Sequence, residues 1–115
     1  MRRLAIGLKS AEDIRAMRVA GLATCRILDA LQQAAAPGMT PKELDDIAAE
    51  MIRQVGARSS FFGYDGGFGL PPFPAVTCIS VNDAVVHGIP DQIPLQDGDL
   101  VSIDFGISVQ GWHGE

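Results

Sequence analysis

The sequence predicts an α+β fold in which two helices lead into an antiparallel sheet. Three observations predict it. Apolar residues recur at helical spacing as far as Val55, strand-like alternation takes over after Gly56, and the last stretch turns back on itself at Gln110-Gly111.

Ser10 caps the first helix, and Asp13 three residues later completes a capping box. Ile14, Met17, Gly21, Cys25, Leu28 and Leu31 then form an apolar stripe, with Arg15, Arg18 and Arg26 on the solvated side. The helix is expected to stop before Pro37-Gly38, because a proline pushes the residue before it out of helical conformation. A second helix opens with Thr40 as cap, Pro41 at the first helical position and Glu43 as the partner in a second capping box. Leu44, Ile47, Ala48, Met51, Ile52 and Val55 carry its stripe, and Gly56 ends it. Two helices joined by so short a turn pack antiparallel or at an angle.

Ser59 to Phe62 reads as a short strand, and GYDGGFGLPPFP from Gly63 to Pro74 reads as a loop by its glycines and prolines. Ala75 to Val81 is a strand on its β-branched content, followed by NDAVVHGIP and a polar turn through Asp97-Gly98. Asp99 to Val109 is the strongest strand. Along it Val101, Ile103, Phe105 and Ile107 face one way, and Leu100, Ser102, Asp104 and Gly106 the other.

At 115 residues the chain makes one small domain at most, and 47% apolar with 20% charged residues is a globular composition. A net charge of −5 supplies no basic stripe for a phosphate backbone, so nucleic acid is a poor partner. Cys25 and Cys78 make neither a disulfide framework nor a zinc spacing, and read as reduced thiols. The start MRRLAIGLKS is too short in apolar residues for a signal-peptide core, and no apolar run reaches membrane-spanning length. A soluble cytoplasmic protein without membrane partners is expected.

Asp104 is an acid in an apolar strand, which costs free energy unless its carboxylate is solvated, paired or bound to a metal. A two-residue turn at Gln110-Gly111 sets Val109 against Trp112, Ser108 against His113, Ile107 against Gly114 and Gly106 against Glu115. Glu115 then projects on the side of Asp104, at a diagonal position about 7–8 Å away. Oxygen-rich pairs suit hard divalent cations, and two such cations lower the pKa of an attacking water. Two acids do not complete such a site. His113 shares the face of Glu115 and is a candidate outer group. His87, between Val86 and Gly88, reads either as a surface residue or as an acid/base partner beside a metal. Phe61, Phe62, Tyr64, Phe68 and Phe73 form either core packing or a small apolar pocket.

Four ordered blocks carry a resemblance: SAEDIRAMRVAG, PGMTPKELDDIA, CISVNDAVVHGIPD and LQDGDLVSIDFGISVQGWHGE. The last two are specific, joining an HGIP loop to an IDxG strand and a G-(aromatic)-HG hairpin. Together they resemble type I methionine aminopeptidases along the whole chain. That resemblance implies a pita-bread fold, whose two pseudo-symmetric halves of helices on a curved antiparallel sheet enclose a site for two divalent metal ions, cobalt, manganese, iron or zinc. It implies that Asp104 and the residue at 115 are metal ligands, and that His87 contacts the scissile amide and helps stabilise the transition state. Tyr64, Phe73, Cys78 and Phe61 are implied to line the methionine side-chain pocket, in a loop longer than the bacterial pattern. The implied reaction is removal of the initiator methionine by metal-activated water, with the N-terminal methionine of nascent polypeptides as partner and the ribosome as a further candidate.

Two departures stand beside the resemblance. Glu115 replaces the family aspartate, and one added methylene moves a carboxylate by about 1.5 Å. The family's remaining ligands, a histidine and two glutamates, belong to a second half that these 115 residues do not contain. Residues 1–115 are therefore expected to be the N-terminal half of one catalytic domain, inactive alone and prone to self-association. A proline-specific aminopeptidase or prolidase, and a non-catalytic pita-bread binding protein, are the alternatives. The HGIP loop weighs against the first, and Glu115 alone favours the second.

Overall fold

The computed structural model describes residues 5–115; the first part of the MRRLAIGLKS segment lies outside the described residues. Both helices begin at their expected caps. Helix α1, Ala11–Ala34, starts where Ser10 Oγ accepts from the Asp13 amide at 3.1 Å and Asp13 accepts from the Ser10 amide at 2.8 Å. Helix α2, Pro41–Gln54, repeats the device with Thr40 and Glu43, at 3.1 and 2.8 Å. It ends as Gly56 turns left-handed at φ 69°.

The buried stripe of α1 is rotated from the expected one. Ala20, Thr24, Ile27 and Leu31 face the core, whereas Ile14 is 56% exposed and Cys25 is exposed. Small residues are buried there because the sheet comes so close. A Cβ added at Gly114 would lie 2.5 Å from Thr24 Oγ1 and 2.6 Å from the Ala20 carbonyl oxygen. In α2 the buried face is Pro41, Leu44, Asp45, Ala48 and Ile52, and Val55 is left exposed beyond the helix end.

The strands are antiparallel, as expected, and form two ladders. Strands β1 (Arg58–Ser59), β4 (Ile107–Val109) and β5 (Trp112–Gly114) make one, in the order β1-β4-β5. Strands β2 (Cys78–Val81) and β3 (Val101–Asp104) make the other. The segment Asp99 to Val109, expected as one strand, is thus divided. At Phe105 and Gly106 the chain leaves β2 and crosses to β1: Phe105 is buried and the Gly106 carbonyl accepts from the Ser60 amide at 2.9 Å. The strand expected from Ala75 begins only at Cys78, and the one expected over Ser59 to Phe62 is the two-residue β1.

The β4–β5 hairpin has the expected register, with Ile107 opposite Gly114, Ser108 opposite His113 and Val109 opposite Trp112. Gln110 and Gly111 both have positive φ, 50° and 85°, the conformation that a two-residue turn between right-twisted strands requires. Ile27, Leu31, Leu44, Ala48, Ile52, Ile79, Leu95, Phe105 and Ile107 form a single core between helices and ladders. The α1–α2 turn is stitched to the following loop by the Gly38 amide on the Leu95 carbonyl and the Leu95 amide on the Met39 carbonyl, both 2.8 Å.

Candidate active site

A cavity of about 460 Å³ opens between the glycine-rich loop and the β2–β3 ladder. Phe61, Tyr64, Phe73, Cys78, His87 and Asp104 all line it, so it gathers six of the seven residues to which the resemblance assigns a role, Glu115 being the seventh. Its wall is otherwise supplied by Asp65, Gly66, Leu70, Pro71 and Ile89, which sequence reasoning passed over because loop composition says nothing about which way a loop folds.

The aromatic wall is held by the loop's closed neck. The Gly63 amide donates to the Phe73 carbonyl at 2.9 Å, and the Phe73 amide donates to the Tyr64 carbonyl at 2.8 Å. Phe61 and Phe73 meet edge to face across this neck, with ring centroids 6.3 Å apart and planes at 90°. The aromatic cluster thus resolves toward a pocket wall for Phe61, Tyr64 and Phe73, while Phe62 and Phe68 are exposed away from it.

Cys78 forms the buried floor, opposite Asp104 in the ladder. Burial pushes its thiol pKa up, and the charges of Asp104 and Asp45 add to the effect, so the group stays a neutral, polarizable thiol. Asp45 is a residue the sequence reading missed. Its Oδ1 accepts from the Val76 amide at 3.1 Å, the Thr77 amide at 2.9 Å and the Thr77 hydroxyl at 2.6 Å, although the residue is almost fully buried in α2. The signal was its place in the helix, since Pro41, Leu44, Asp45, Ala48 and Ile52 share one face.

His87 reaches the cavity from a backbone turned left-handed, φ 59°, which few residues with a side chain adopt. The next residue explains how it is held. The Gly88 carbonyl accepts from the Ile79 amide at 3.0 Å, and the Gly88 amide donates to Ser80 Oγ at 3.0 Å. A Cβ at Gly88 would fall 2.2 Å from the Ile79 carbonyl oxygen, so only glycine lies this close to β2.

Asp104 ends β3 with its side chain exposed at the cavity, and Glu115 follows β5 outside the cavity lining. Glu115 rests on Gly106: its Cγ and Oε1 lie 3.1 and 3.3 Å from where a Cβ of that glycine would be. The missing side chain makes room for the carboxylate two residues from Asp104. Two exposed carboxylates are the donor type that a hard divalent cation takes. They make only part of a coordination shell, and among the described residues no three His, Cys, Asp or Glu side chains converge. His113 is exposed and outside the cavity lining.

Comparison with known proteins places this arrangement. The profile of metallopeptidase family M24 matches residues 15–115. The chain belongs to metallopeptidase family M24. M24 relatives with 47%, 44% and 38% identity are methionine aminopeptidase 1 of Mycobacterium tuberculosis, methionine aminopeptidase of Clostridium perfringens and methionine aminopeptidase of Helicobacter pylori. These alignments cover 93%, 94% and 97% of this chain but 38%, 41% and 42% of those proteins. The M24 chain therefore spans about two fifths of the length of the curated relatives it matches. Crystal structures of methionine aminopeptidases from Thermotoga maritima and Rickettsia prowazekii superpose with TM-scores of 0.82 and 0.80 at 32% and 30% identity. Each covers 95% of this chain and 42% of the solved one. The pita-bread architecture expected for this part of an M24 protein is the one observed.

Proposed function

We propose that residues 1–115 form the first half of a single catalytic domain, and that the complete protein removes the N-terminal methionine from new polypeptides. One observation carries the reading: a single cavity joins an aromatic and thiol wall to an imidazole and a carboxylate. Methionine suits such a wall, because its sulfur gains from contact with aromatic edges. Phe61, Tyr64, Phe73 and Cys78 take the side chain, which places the scissile amide toward His87. Asp104 and Glu115 would hold divalent cations together with ligands from the remainder of the protein. When bound, two such ions supply Lewis acidity and lower the pKa of the attacking water.

His87 donates a hydrogen bond to the scissile amide and steadies charge as it develops there. The buried Cys78 gives the methionine side chain a dry floor. The experiment is an assay of the full-length protein on a Met-Ala peptide with cobalt, manganese or iron supplied. Release of free methionine is expected, and absence of turnover with metal bound overturns the reading.

A further inference from the structure

We infer that Ser80 is a positioning residue for His87. The inference rests on the proposed role of His87 and extends it to a side chain that touches neither substrate nor metal. A left-handed backbone at a residue with a Cβ persists only where its surroundings hold it, and His87 has φ 59°. The surroundings are β2. The chain returns over that strand so that Gly88 exchanges its carbonyl with the Ile79 amide and its amide with the Ser80 hydroxyl, each at 3.0 Å.

The Ile79 contact is backbone to backbone. The Ser80 contact is the one made by a side chain, and Ser80 is buried, 4% exposed, within a strand that pairs residue for residue with Val101 to Asp104, Ser80 opposite Ser102. Its hydroxyl therefore measures the height of the His87–Gly88 peptide against the strand that also carries Cys78. Val85, Val86 and Ile89 on either side are exposed and give the loop little packing of its own. Removing the hydroxyl leaves the Gly88 amide without its acceptor and lets the His87 backbone relax toward ordinary φ. The imidazole then drifts relative to Cys78 and Asp104, and a displacement of about 1 Å at a catalytic group is enough to cost two orders of magnitude in rate.

The test is a double-mutant cycle in the full-length metal-loaded protein on a Met-Ala peptide. Ser80→Ala is expected to lower kcat at least tenfold with KM within twofold of wild type, and to change nothing further in a His87→Ala background. An equal loss in both backgrounds overturns the proposal, because a residue acting on general stability would not need His87. Ser80→Cys, which keeps a weak acceptor at the same position, is expected to fall between wild type and Ser80→Ala. It carries the test if the alanine variant does not fold, and a kcat equal to wild type in Ser80→Cys then overturns the proposal. Absence of turnover by the wild type would refute the aminopeptidase reading and leave the positioning decided by the His87 imidazole resonances. Resonances shifted or broadened in the Ser80 variant support it, and resonances unchanged from wild type overturn it.

Discussion

Asp45 and His87 are opposite solutions to holding one side chain in place. Asp45 spends a buried carboxylate to fix Val76 and Thr77, the two residues before the cavity floor at Cys78. Asp45→Ala leaves two backbone amides and a hydroxyl without an acceptor, and about 2–4 kcal/mol of stability is expected to be lost in urea unfolding. Asp45→Asn keeps the accepting oxygen and is expected to lose less than half of that. His87→Ala is expected to lower kcat by about 10²-fold or more, measured by methionine release. His87 was legible as a candidate because HGIP is a local signal. Asp45 was legible only as an acid on the buried face of α2; its partners were not, because they lie 31 and 32 residues along the chain and nothing near it in sequence announces them.

The helices begin on caps, and one cap carboxylate together with two other exposed carboxylates sets the response to acid. The Ser10 amide and hydroxyl hold the Asp13 carboxyl below its ordinary range, and the Asn82 side chain with the Gln96 amide does the same for Asp99. Arg53, with Gln54, draws Glu50 down to about 2. A carboxylate depressed in the folded state adds stability above its ordinary pKa and loses it as pH falls through the folded value. These groups are exposed and screened by solvent, so melting temperature is expected to be level from pH 7 to 5 and to decline only slightly between pH 4 and 2. The packing of α1 on β5 gives a sharper prediction: Gly114→Ala would drive a methyl into Thr24 and the Ala20 carbonyl, and about 3 kcal/mol of destabilisation is expected on chemical denaturation. Caps and the Gln110-Gly111 turn were readable from sequence because each involves residues within a few positions. The rotated stripe of α1 was not, because Ala20 and Thr24 are buried for their smallness, which hydrophobic spacing does not register. Nor was the break at Phe105-Gly106, where alternation runs on unbroken while the hydrogen-bonding partner changes from β2 to β1.

Across the whole molecule, the radius of gyration of 16.1 Å exceeds the roughly 13 Å of a compact domain this long, and the longest dimension is 51 Å. Val85, Ile93 and Leu100 are 82%, 70% and 70% exposed. Composition alone read as one ordinary domain; the expectation of exposed apolar surface came from the resemblance and its absent second half, and the structure shows which residues carry it. These 115 residues on their own are expected to self-associate, seen as species larger than a monomer in sedimentation velocity. A monomer with one sharp unfolding transition would count against it. No helix among the described residues is long and apolar enough to cross a membrane.

The pinch at Gly63, Tyr64 and Phe73 makes the segment between them a cassette. Insertions or deletions within it reshape the rim, where Leu70 and Pro71 stand, while the ring pair at its base and the strand beneath keep their places. Under the proposed function, the breadth of accepted substrates is thus open to change without moving His87 or Asp104, by editing a stretch that no strand or helix depends on.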